Sequence, residues 1–323
     1  ITGAGTFTST GTTTANSDIS VATINNNGSA TLTANNITSA GTFTNDGTAT
    51  VNANLLDATT VNNSLLTVTG NVQGTADVTN SGTLSMSDLA GSAVLTNQAS
   101  GNTTIGGDIT TSGTTTNAGT LNVTGNVAAS AGDITNDGTL DVEGNIDAAA
   151  GAITNNDVLN AAGNVNTSNG VTLGTGSALT LDGSVAQNVD AAIDGAMAGE
   201  GSIDVANTTG GVTFNGVIGS AGNEVGSLTV TQGDTTLAAD ANFSGDVDVA
   251  TLQTLNNNNG ATLTAGNLTG AGAFTNSGTA TFSGDVSVLG VGLGPNGDLT
   301  LNGTGNQEVS AAIDVVTDGD GAI

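Results

Sequence analysis

Three successive stretches of the chain are near-copies of one phrase. Residues 115–127 read TTNAGTLNVTGNV, residues 134–146 read ITNDGTLDVEGNI and residues 153–165 read ITNNDVLNAAGNV. Laid in register at a spacing of 19 residues, Asn117, Asn136 and Asn155 align, as do Leu121, Leu140 and Leu159, and then Val123, Val142 and Ala161. Gly125, Gly144 and Gly163 align next, followed by Val127, Ile146 and Val165. With slippage of a residue or so the register runs upstream, placing Met86 and Ile105 at the valine position and Gly82 and Gly101 at a turn glycine. It resumes in TNDGTATV (44–51) and TNSGTATF (275–282). A period this short limits the fold sharply, because one unit cannot bury a core alone and must stack on copies of itself.

Within a unit, Leu140 and Val142 flank Asp141. That is strand alternation, apolar inward and polar outward. Gly-Asn and Asn-Asp-Gly follow, residues that tolerate positive φ and mark corners. No segment sustains a 3.6-residue apolar period, and Gly, Thr and Asn suit helices poorly. The fold expected is all-β: a parallel β-helix, or β-solenoid, with coils of ~19 residues, each pairing with the next at about 4.8 Å. Aligned Leu, Val and Ile would form interior columns, and aligned Asn would form hydrogen-bonded ladders at the corners. About 17 such coils would make a rod of roughly 80 Å.

A longer repeat overlies the short one. Residues 179–203 match 299–323, and residues 24–51 match 255–282. These matches read as duplication, and no linker is visible, so residues 1–323 are expected to be one continuous solenoid segment of a longer repetitive protein.

Composition then narrows the function. The chain has no Lys, Arg or His, a formal net charge of −28, 50 glycines, one proline and no cysteine. Such bias often means disorder, but the Leu, Ile, Val and Phe content, about a fifth of the chain, and its regular placement argue for a thin folded core. An anionic surface repels phosphate backbones, so nucleic acid is not an expected partner. No apolar run approaches the ~18 residues of a membrane-spanning helix. Without His, Lys or Cys there is no general base for a nucleophilic triad, no zinc or copper ligand set and no cationic phosphate clamp. We therefore expect no enzyme, and assign no catalytic, cofactor-binding or metal-ligating residue.

Four weaker signals remain. Calcium is the one plausible ion, held diffusely by the acidic surface or at acidic turns such as Asp318 and Asp320, although the rest of an EF-hand loop is missing. Phe7, Phe43 and Phe274 follow similar Gly-Ala or Ala-Gly phrases and read as core plugs. Thr-x-Thr pairs such as Thr31/Thr33 and Thr262/Thr264 suggest an ice-binding face, but they do not recur at one register coil after coil and read as surface-strand threonine. Residues 186–202, AQNVDAAIDGAMAGEGS, interrupt the strand phrase and are the best candidate for an irregular receptor-binding loop, or else a bulge or short helical insert.

The glycine- and asparagine-rich coil resembles the repeats of filamentous haemagglutinin-type adhesins. Residues 201–237, GSIDVANTTGGVTFNGVIGSAGNEVGSLTVTQGDTTL, also look like the strand repeats of autotransporter passenger domains. The resemblance implies a right-handed parallel β-helix at the surface of a double-membraned bacterium. It implies a structural extracellular rod: an adhesin stalk, surface layer or filament whose partners are itself, divalent cations and a host or neighbouring cell surface. Two alternatives stand beside it. One is an adhesin module contacting a receptor or glycan directly. The other is a row of β-sandwich surface-layer domains.

Overall fold

The structure is a computed structural model of the 323-residue chain. It describes every residue except 39–40, 57–58, 76, 129–131, 149–150 and 316–323. The chain divides into two compact units, Ile1–Ile153 and Thr154–Ile323. Each is a parallel β-solenoid, and no helix occurs among the described residues.

In the first unit a coil has three short strands, and each strand stacks on its counterpart one coil away. One column comprises strands ending in asparagine: Thr42–Asn45, Thr59–Asn62, Val78–Asn80, Leu95–Asn97, Thr115–Asn117 and Ile134–Asn136. We call it the amide column. The next, the threonine column, comprises Thr12–Thr14, Thr31–Ala34, Thr48–Val51, Leu65–Val68, Thr83–Met86, Asn102–Ile105, Thr120–Val123 and Thr139–Val142. The third runs from Ile37–Thr38 through Leu55–Leu56, Val72–Gly74, Leu89–Gly91 and Ile109–Thr111, and continues by single bridges through Val127 to Ile146.

Alternation sets what is inside. In Thr139–Val142, Leu140 and Val142 are buried while Thr139 and Asp141 face outward. Leu121 pairs with Leu140 and Val123 with Val142, as the repeat predicts, and Met86, Ile105 and Val123 follow one another at the valine position. Phe43 is buried between coils, and Phe274 is buried in the second unit, edge-on to Phe282 at 6.0 Å. Phe7, paired only to Ile24, is half-buried.

Some turn glycines, such as Gly28, Gly233 and Gly260, adopt the positive φ expected, but those of the 19-residue phrase have a different cause. Gly119 and Gly138 are not among the positive-φ residues. Their turns stack so closely that a Cβ on Gly138 would lie 2.3 Å from the Gly119 carbonyl oxygen. Backbone pairing continues round these corners, with Asp137 N donating to Asn117 O and Gly144 N to Gly125 O.

The asparagine ladder forms, but inside the coil. Asn26, Asn45, Asn62, Asn80, Asn97, Asn117 and Asn136 are fully buried. Each Nδ2 donates to the next Oδ1 at 2.7–3.0 Å, from Asn26 to Asn136. The second Nδ2 hydrogen is used as well, for example from Asn45 to Leu65 O and from Asn117 to Thr139 O. At one rung Thr103 replaces a core leucine, and its hydroxyl joins the row between Asn80 and Asn97. The buried amides are therefore satisfied, as buried polar groups must be. The exception is Asn26 Oδ1, which has no partner because Ser9 occupies the preceding rung.

The second unit repeats the architecture with looser coils. Stacked partners sit 19 residues apart at Asn257 and Asn276 but 24 apart at Ala178 and Ser202. Asn257 Nδ2 donates to Asn276 Oδ1, and the Asn257 Oδ1 is an orphan because Leu237 precedes it. The 120-residue duplication has an unexpected placement. Ala178–Leu181 belongs to the column that continues through Glu200–Ala206, Val225–Gln232 and Val247–Val249. Its copy, Asp298–Leu301, belongs to the column containing Thr279–Phe282 and Thr262–Ala265. The start of the same phrase therefore forms a strand on two different sides of the coil. Gln187 accepts from Gly183 N and donates to Ala161 O and Gly163 O, and Gln307 does the same with Gly303 N, Phe282 O and Gly284 O.

Every strand pair described in the two units is parallel. A row of β-sandwich domains needs antiparallel Greek keys and is excluded.

Candidate functional surfaces

The stretch singled out at 186–202 is neither a helix nor a break in the solenoid. Gln187–Val189 pairs with Val212–Phe214, and Ile193–Gly195 pairs with Val171–Leu173. The alanines read as an interruption because they replace the usual valine and leucine: Ala191 is buried like them. What protrudes is the turn after Gly195, where Met197 is exposed.

Irregularity lies instead at one corner of the second unit. The turn at Gly233 is short, while those at 207–211 and 250–253 are longer. The result is an open notch of about 310 Å³ lined by Thr208–Gly211, Gln232–Asp234, Leu252 and Gln253. Leu252 is 89% exposed and adopts φ 68°, a left-handed conformation uncommon for leucine. The N–H groups of Thr209, Gly210 and Gly211 converge as if on an anion, but the Asn207 Oδ1 already fills that position. Gly233 N donates to Gln253 Oε1, and Asp234 Oδ1 accepts from Thr254 N. A second, apolar hollow of about 240 Å³ lies over Phe274, beside the exposed Leu289 and the side-chain-free Gly290 and Gly292.

Carboxylates are spread along the corners and over outward strand positions such as Asp141, Asp204 and Asp248. Among the described residues no three His, Cys, Asp or Glu side chains are grouped to hold a metal ion. Asp318 and Asp320 lie outside the described residues. Many corner carboxylates brace the turn that follows. Asp88 Oδ1 accepts from Asp108 N, and Asp108 Oδ1 from Asn126 N. Asn126 Oδ1 accepts in turn from Asn145 N, which accounts for the Gly-Asn corners. Asp18 takes hydrogen bonds from the Asn35 side chain and from the Asn36 side chain and backbone, and these donors hold its carboxyl below the usual aspartate value. Glu224 is likewise lowered by backbone N–H donors, the Gly222 N–H foremost.

The threonines correct the sequence reading. Thr12, Thr31 and Thr48 lie in register, and so do Thr14, Thr33 and Thr50. Thr-x-Thr therefore recurs in three successive coils, hidden in the sequence because the coils differ in length. The rank through Thr14 continues as Thr67, Ser85 and Thr104, and the rank through Thr12 continues as Leu65, Thr83, Asn102 and Thr120.

No family model matches the chain, and no curated protein and no solved structure matches it. Among the described residues no helix is long and apolar enough to cross a membrane.

Proposed function

We propose that the chain is a structural segment, an element of a stalk or fibre displayed outside the cell. The observation that supports this reading is continuity. In each unit the coils are hydrogen-bonded to one another along three strand columns and round the corners, and in the first unit also through the buried amide row. Such an assembly gains stability additively from coil-to-coil contacts. It has no need of a catalytic centre, and we assign it none. The absence of Lys and Arg removes every trypsin-type cleavage position, which suits exposure to proteases. In this reading the coil is of the kind found in haemagglutinin-type adhesins and autotransporter passengers, and divalent cations moderate repulsion between neighbouring anionic segments.

Single-molecule stretching tests the mechanical reading. A stalk element releases its coils in small successive steps, each lengthening the chain by about 60 Å for a coil of ~17–20 residues. Collapse of the chain in one step at low force would overturn it. Antibody labelling of intact cells of the native source tests the placement, and labelling only after permeabilisation would refute surface display.

A second reading, an adhesin module that binds a glycan directly, is favoured by the notch at Gln232–Asp234 with Leu252 standing at its rim. A glycan array in which the chain binds and a Leu252→Gly, Asp234→Ala variant does not would support it.

A further inference from the structure

We propose that the outward side of the threonine column in the first unit is an ice-binding face. Its outward positions, coil by coil, are Thr12 and Thr14, Thr31 and Thr33, Thr48 and Thr50, Leu65 and Thr67, Thr83 and Ser85, then Asn102 and Thr104. One file of hydroxyls, from Thr14 to Thr104, is unbroken over six coils. The register between these strands carries no shift or bulge. The array is thus two-dimensional, with about 4.8 Å between coils and about 6.7 Å between alternate residues of a strand. Both spacings lie near oxygen repeats on the prism faces of hexagonal ice.

Three further observations favour a frozen-water surface as the occupant. First, the charge is complementary to a neutral lattice. The chain carries −28, yet no outward position of this column bears a carboxylate from Thr12 to Asn122, and the first is Asp141. Second, the hydroxyls of Thr31, Thr33, Thr48, Thr50 and Thr67 have no partner within the protein and are free to bond outward. Third, the face has an internal reason to stay regular. Sheets ordinarily twist, but the amide row along the leading edge of this face, bonded to Thr48 O, Leu65 O and Thr83 O at the strand starts, repeats one hydrogen bond of 2.7–3.0 Å from Asn26 to Asn136 and holds each coil over the last. Threonine suits such a face chemically. Its hydroxyl matches a water position, and its methyl group favours the ordered water that surrounds apolar surface.

The test is partition of the full chain into a slowly grown ice crystal, read beside thermal hysteresis. The wild-type chain is expected to enter the ice and to hold the freezing point below the melting point. A Thr33→Lys, Thr50→Lys double variant, with unchanged far-UV circular dichroism and melting temperature, is expected to lose both effects. Thr229→Lys, an outward position between Asp204 and Asp248 in the second unit, is expected to keep both. Exclusion of the wild-type chain from ice, retention of activity by the double variant, or equal loss in Thr229→Lys would each overturn the proposal.

Discussion

A single buried amide in this fold holds two neighbours. Asn62 Oδ1 accepts from Asn45, and Asn62 Nδ2 donates to Asn80 and to Thr83 O. Asn62→Ala therefore strands the Asn45 donor in a dry interior and leaves the Asn80 Oδ1 only its longer bond from Gly82 N, and a loss of about 2–4 kcal/mol is expected in urea denaturation. Asn62→Asp is more telling. Its second oxygen would face the Asn80 Oδ1 and Thr83 O, so only the protonated acid fits. The folded-state pKa is raised, and the variant is expected to approach wild-type stability in acid and lose it as pH rises through that raised value. Melts at a series of pH values, referred to wild type, check this. Asp18 runs the opposite way. Its carboxyl is lowered chiefly by the Asn35 amide, so its contribution is present above the ordinary aspartate pKa and fades as pH falls through the lowered one. Asn35→Ala should raise the Asp18 titration midpoint in carbon-detected NMR, and an unmoved midpoint would refute the assignment.

The strand and the coil are the elements of this molecule, and the coil is the one that can be removed. Thr116 and Thr135 are stacked equivalents, so deleting residues 116–134 splices one coil out with every register kept. Such a variant should retain its β-type circular dichroism and melt slightly earlier. Deleting Leu121 alone should do far more damage, because a one-residue slip turns Asn122 inward and exposes the apolar set. This contrast also explains what could be read from the sequence. Leu121 over Leu140 and Asn117 over Asn136 were legible because identical residues recur at an identical period. The threonine ranks were not, because Thr31 to Thr48 spans fewer residues than Thr12 to Thr31, and hydrogen-bonded register, not residue count, defines a rank. Residues 186–202 misled because alanine pairs in a strand as well as valine does when the interior is narrow. The notch at Asp234 was illegible because it arises from the difference in length between neighbouring turns.

The whole chain is a polyanion without a cationic side chain. With no Lys, Arg or His there is no side-chain ion pair for salt to weaken. Added electrolyte can only relieve repulsion, so the melting temperature should rise steadily between about 10 mM and 150 mM NaCl, as the screening length shortens to about 8 Å. Calcium should raise it further at equal ionic strength, without a stoichiometric endpoint in calorimetry. A melting temperature that falls with salt would contradict this account.

The amide row also has a sense. Each rung donates forward along the chain and accepts from behind, and this is why the orphaned amide oxygens are those of Asn26 and Asn257, the first members of their rows. A coil laid on the row upside down would set acceptor against acceptor. In the language of symmetry, a dyad across the column is forbidden by hydrogen-bond polarity, and only a screw operation along it extends the row. Any further coil, whether from the same chain or another, has to join head to tail, which makes the interface heterologous and the growth vectorial.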